Sequence, residues 1–161
     1  MKTLRMICAA LAVALSVSHA HAATRVYLMR GLLELSPGLS TIGDMLRARG
    51  AIVTVGSWMQ REQFVRDALR HPQDRIVFGG HSMGDQEAFS AGAQVKGSRV
   101  VGLDPLCTSP RGRGVNIWGN TCLGRFATVA GASNVLISGY SHITYCTDPR
   151  VQRAFVRYAL N

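Results

Sequence analysis

The chain predicts an α/β fold, a mostly parallel sheet of about six strands with helices on both faces. Three observations predict it. Short, continuously apolar runs alternate with amphipathic stretches of helical period along residues 23–161, and strands apolar on both sides belong to parallel sheets covered on both faces. Gly80-His81-Ser82-Met83-Gly84 stands at the junction between one such run, Ile76-Val77-Phe78, and a helical stretch. No internal repeat or domain linker interrupts the alternation, so residues 23–161 read as one domain.

The elements follow in order. Arg25-Val26-Tyr27-Leu28-Met29 is the first strand, ended by Gly31. Ser36-Pro37 reads as an N-cap and first helical residue, and Leu39, Ile42, Met45 and Leu46 recur at helical spacing up to Gly50. Ala51 to Val55 is the second strand; Phe64, Val65, Ala68 and Leu69 mark a second helix that stops at His71-Pro72. Ile76 to Phe78 leads into a helix from Met83 to about Gln94, followed by a strand over Arg99 to Leu103. Val115 to Trp118 and Val135 to Ser138 are the fifth and sixth strands. Thr147-Asp148 caps a last helix opened by Pro149, whose Val151, Ala154, Phe155 and Tyr158 share one face.

Residues 1–22 read as a secretory leader: Lys2 and Arg5 precede an apolar stretch from Met6 to Val17, and Ala20-His21-Ala22 has the small-x-small pattern of a cleavage site. The stretch is too short for a comfortable membrane span, so a periplasmic or secreted protein is expected. Beyond the leader lie Cys107, Cys122 and Cys146. In an oxidising compartment they predict one disulfide and one leftover thiol. Cys107–Cys122 would staple a loop with little else to order it, and Cys122–Cys146 competes. Their spacing does not suit zinc. The net charge of +9 comes mostly from arginines spread along the chain, which argues against a nucleic-acid partner.

Gly80 to Gly84 resembles the nucleophile elbow of the α/β-hydrolase superfamily, where a sharp strand-to-helix turn presents a serine for attack. Ser82 is then the nucleophile. His142 is the one histidine downstream of it and falls between the last strand and the last helix, where the base belongs in the order Ser, acid, His. Between the two, the carboxylates are Asp85, Glu87 and Asp104. Asp85 and Glu87 lie in the first turns of the elbow helix, where negative charge suits the helix dipole. Asp104 ends the fourth strand, at the sheet edge where α/β sites are built, and is the candidate acid.

With Asp104-Pro105 and His142, the elbow is similar to the lipase, esterase and thioesterase branch of that superfamily across most of residues 23–161. The resemblance implies an oxyanion hole from the Met83 N–H and, by matching Arg30-Gly31 to the family's His-Gly, the Leu32 N–H. Arg30 replaces the usual histidine, and the acid follows the fourth strand where many relatives carry it one strand later. The chain has no room for a lid domain; Pro105 to Ala132 is the one insertion, with Trp118, Leu123 and Phe126 as candidate pocket or core residues and Arg111 to Gly114 as a solvated loop or anion clamp. The implied activity is hydrolysis of a small-molecule or lipid-like carboxylic ester or thioester through an acyl-enzyme, with no metal or organic cofactor. An acyltransferase with the same triad, or a non-catalytic envelope protein of the same fold, fits the same residues.

Overall fold

The computed structural model describes residues 22–106, 111–119, 128–139 and 141–161. Strands β1 (Thr24–Arg30), β2 (Ile52–Ser57), β3 (Arg75–Ser82), β4 (Arg99–Pro105), β5 (Val115–Trp118) and β6 (Ser133–Leu136) form one sheet in the order β2-β1-β3-β4-β5-β6. All five pairings are parallel. The helices are α1 (Leu39–Arg47), α2 (Arg61–Leu69), α3 (Met83–Gln94) and α4 (Pro149–Leu160). Among the described residues no helix is long and apolar enough to cross a membrane.

The unbroken apolar runs are explained by two cores. Val26, Leu28, Val77, Val101 and Leu103 pack under Leu39, Ile42 and Leu46 of α1 and Val151 and Phe155 of α4. Their alternates Tyr27, Met29, Ile76, Phe78 and Val100 pack under Phe64, Val65 and Ala68 of α2 and Ala88 and Phe89 of α3. Since successive side chains point to opposite faces, a strand covered twice must be apolar at every position. The Tyr27 ring lies 5.4 Å from both Phe64 and Phe78, and its hydroxyl donates to Asp67 at 2.7 Å, so the polar tip is satisfied. Phe155 fills the opposite face, in space that Gly79 leaves open: a Cβ there would strike the Phe155 ring. Phe155→Ala is expected to cost about 3–5 kcal/mol, read as a lowered urea midpoint.

Several strands run beyond their expected bounds, β3 as far as Ser82, and the starts of two elements differ from the sequence expectation by two residues. Helix α1 begins at Leu39 with Gly38 as N-cap, at φ 89° and without a side-chain cap. Ser36 does not cap it because its hydroxyl is engaged by Gly31 and His81. Strand β6 pairs over Ser133–Leu136 instead of Val135 to Ser138. The Ser133 N–H meets the Gly114 carbonyl, and the Asn134 side chain bonds Val129 and Ala132, which starts the edge strand on polar residues. At the other end of the chain, Asp148 caps α4 by accepting from the Arg150 N–H at 2.8 Å, with Pro149 in the first turn.

The strand order positions the site. From β1 the chain crosses to β2 on one side, and β3 then lies on the other. The carboxyl ends of β1 and β3 therefore flank a topological switch point, where open α/β sheets place their ligands.

Candidate active site

Ser82 ends β3 and immediately precedes α3, with φ 62° and ψ −121°. The β3–β4 register shifts between His81 and Ser82, so the chain turns out of the sheet at the serine. The flanking glycines are required by close approach. A Cβ on Gly80 would strike the Gly84 carbonyl, and one on Gly84 would strike the Met29 carbonyl of β1. The strained φ of a non-glycine residue costs on the order of 1–3 kcal/mol and persists because this packing over-determines it. Met83 is the first residue of α3, and its N–H has no acceptor within the helix.

The turn after β1 lies against the serine. A Cβ on Gly31 would be 2.8 Å from Ser82 Cβ and 3.3 Å from Ser82 Oγ, so the backbone leading to Leu32 borders the Ser82 hydroxyl. Arg30 does not occupy the site: its guanidinium pairs with Glu34 at 3.1 Å and donates to Ser40 at 3.1 Å, bracing the turn from outside. Leu33, at φ 53° and 78% exposed, and Leu32 and Leu35 project from this turn. Ile143, beside His142, is exposed as well.

The structure brings Asp104 and His142 together. Asp104 is fully buried at the end of β4, at φ 45°. Its Oδ1 accepts from the Gly119 N–H at 3.0 Å, and its Oδ2 accepts from His142 Nδ1 at 2.7 Å. Because a carboxylate oxygen accepts, the proton of a neutral His142 sits on Nδ1 and Nε2 carries the lone pair. Nε2 is buried and, among the described residues, has no hydrogen-bond partner, the serine included. Nucleophile–base contacts of this kind are commonly long before substrate binds.

Comparison with known proteins bears on the fold. No protein-family model matches the sequence, and no curated protein matches it. Solved structures do. A Xanthomonas campestris protein described as a "putative hydrolase of the alpha/beta superfamily" superposes with a TM-score of 0.61 at 13% identity, over 83% of this chain and 96% of its own. An alpha-beta serine hydrolase homologue from Coxiella burnetii gives 0.59 at 15% identity, over 84% of each chain. A second Xanthomonas campestris protein, described as an a/b serine hydrolase without lid, gives 0.59 at 12% identity, over 88% of this chain and 84% of its own. This chain has the α/β-hydrolase fold. In this α/β-hydrolase sheet, no helix lies between β4 and β6 among the described residues.

Not every expectation on the insertion can be placed. Trp118 is buried, and Arg111 forms a parallel bridge with Ala130 that extends the β5–β6 edge. Leu123, Phe126, Cys107 and Cys122, and hence the expected disulfide, lie outside the described residues. Cys146 is buried and free, and burial pushes its thiol far up.

Asp85 corrects the sequence reading. It does lie in the first turn of α3, but its side chain is fully buried, which disfavours the negative charge expected there for the helix dipole. Among the described residues neither carboxyl oxygen has a hydrogen-bond partner, and both occupy space above Gly102, where a Cβ would collide with them. Burial, and then the charge of Asp104, raise this carboxyl well above the usual range. Its neighbour Glu87 pairs with Arg61 at 2.6 Å. The folded state thus holds a proton that the unfolded chain releases above about pH 3.9. Stability therefore falls as pH rises through and above that value. Asp85→Asn is expected to remove this slope, gaining on wild type more at pH 8 than at pH 4 in urea midpoint. A difference independent of pH would contradict it.

Two polar residues were given no part in the site by the sequence reading, His81, noted only as a member of the elbow motif, and Ser36, read as a helix cap; both are buried beside the site.

Proposed function

We propose that this protein is an exported serine hydrolase that cleaves carboxylic esters or thioesters. The observation that carries the reading is the 2.7 Å contact from His142 Nδ1 to a fully buried Asp104, beside a serine on a strained strand-to-helix turn. Ser82 Oγ attacks the carbonyl carbon while its proton passes to His142 Nε2. Asp104 holds the ring in the tautomer that leaves Nε2 free and stabilises the imidazolium that forms. The N–H groups of Met83 and Leu32 stabilise the tetrahedral oxyanion. Collapse breaks the bond to the alcohol or thiol, which leaves with the proton from His142. Water, activated by the same ring, then releases the acid.

The apolar side chains of Leu32, Leu33, Leu35 and Ile143 at the carboxyl edge favour esters with an apolar acyl part. Export is inferred from the leader-like residues 1–22, and a purified protein beginning near Ala23 would support it. The activity is tested with a fluorophosphonate probe and a panel of p-nitrophenyl esters of increasing chain length. Wild type is expected to label and to turn over esters, and Ser82→Ala to do neither. Folded wild-type protein that fails to label would end the reading.

A further inference from the structure

His81, directly before Ser82, is fully buried, and each of its ring nitrogens meets a different loop. Nε2 lies 2.9 Å from the His142 backbone oxygen, and Nδ1 lies 2.9 Å from Ser36 Oγ. A carbonyl oxygen only accepts, so Nε2 carries a proton. Burial, and then the charge of neighbouring His142, push this imidazole down to about 4, so the ring is neutral near pH 7 and Nδ1 bears a lone pair. The Ser36 hydroxyl must therefore donate to Nδ1. Its oxygen remains an acceptor for the Gly31 N–H at 2.9 Å. Every donor thus has one direction: Gly31 N–H to Ser36, Ser36 O–H to His81 Nδ1, and His81 Nε2–H to the His142 carbonyl.

The two ends of this chain distinguish it from an ordinary core histidine. One end is the amide preceding Leu32, in the turn packed against the Ser82 side chain. The other is the backbone of His142 itself, whose ring centroid lies 4.8 Å from that of His81. Asp104 holds the His142 ring through Nδ1, whereas His81 Nε2 holds its backbone carbonyl at 2.9 Å, which the Tyr145 N–H also approaches at 3.4 Å. We propose that His81 is a positioning residue, which ties the oxyanion-hole turn and the His142 loop to one reference point beside Ser82. The proposal rests on the Ser82–His142–Asp104 reading. A rigid imidazole suits the task because it joins an acceptor and a donor in one plane, on the residue bonded to the nucleophile.

The test has two arms. In wild type at pH 7, nitrogen-15 NMR of the histidine rings is expected to show His81 neutral with its proton on Nε2; an imidazolium or an Nδ1–H tautomer would overturn the proposal. In kinetics, His81→Phe is expected to lower kcat about 100-fold, the scale of an ångström-sized misplacement, with a smaller change in KM. His81→Gln, which keeps one acceptor and one donor, is expected to recover part of that loss. Ser36→Ala leaves the elbow sequence intact and is expected to lower kcat in the same direction, so it decides the matter if His81→Phe does not fold. A folded His81→Phe, or failing that Ser36→Ala, with wild-type kcat would overturn the proposal. Turnover that survives Ser82→Ala would instead bring down the triad reading, whatever the His81 variants do.

Discussion

His142→Asn is expected to lower kcat for ester hydrolysis on the order of 10⁶-fold, the loss seen when the base of a serine triad is removed. Asparagine places an amide nitrogen close to the position of Nδ1, so Asp104 keeps a donor, and the Gly119 N–H still reaches Oδ1. What disappears is the lone pair at Nε2 that the proposed mechanism uses to take the Ser82 proton. The backbone carbonyl at position 142 is untouched by the change and retains its contact with His81. The thermal midpoint should therefore move by only a few degrees while turnover nearly vanishes. A loss of less than about tenfold in kcat, against the magnitude expected for a general base, would remove His142 from the role.

Asp104→Asn should lower kcat about 10⁴-fold through a different route. The amide introduced by this change would face the ring and donate where the carboxylate accepted. The imidazole would then carry its proton on Nε2 and present no lone pair to the serine. Asparagine is among the few residues that tolerate the left-handed region, so the φ of 45° at this position should not unfold the strand end. Because the interaction is needed in the transition state and not to hold substrate, kcat and kcat/KM should fall together. A rise in KM alone would show that Asp104 shapes the pocket without orienting the base.

Much of this arrangement is legible before any coordinates. Ser82 is singled out by the elbow motif and its resemblance, Asp104 and His142 by order along the chain and by elimination, and the structure brings Asp104 and His142 within hydrogen-bonding distance. Helix α3 and strand β5 keep their expected bounds because a sharp turn and a both-faces-buried run are local signals. The start of α1 and the start of β6 are not local: each depends on where a hydroxyl or a backbone N–H finds its partner in a neighbouring segment. Asp85 shows the same division. Its place in the first turn is visible in the sequence, whereas its burial over Gly102 follows from how α3 packs on β4.

By itself the sequence determined a doubly covered parallel sheet, since only burial on both faces produces strands apolar at every position. It also determined the elbow, because glycines must flank a serine where a helix doubles back onto its strand. Tertiary structure alone decided how the two buried carboxyls are surrounded. Asp104 meets a ring nitrogen and an amide, while Asp85 meets neither. It alone joined Gly31, Ser36, His81 and the His142 backbone, positions separated by up to 61 residues between bonded partners. Burial and hydrogen-bond partners belong to the folded neighbourhood of a residue, and no spacing along the chain encodes them directly.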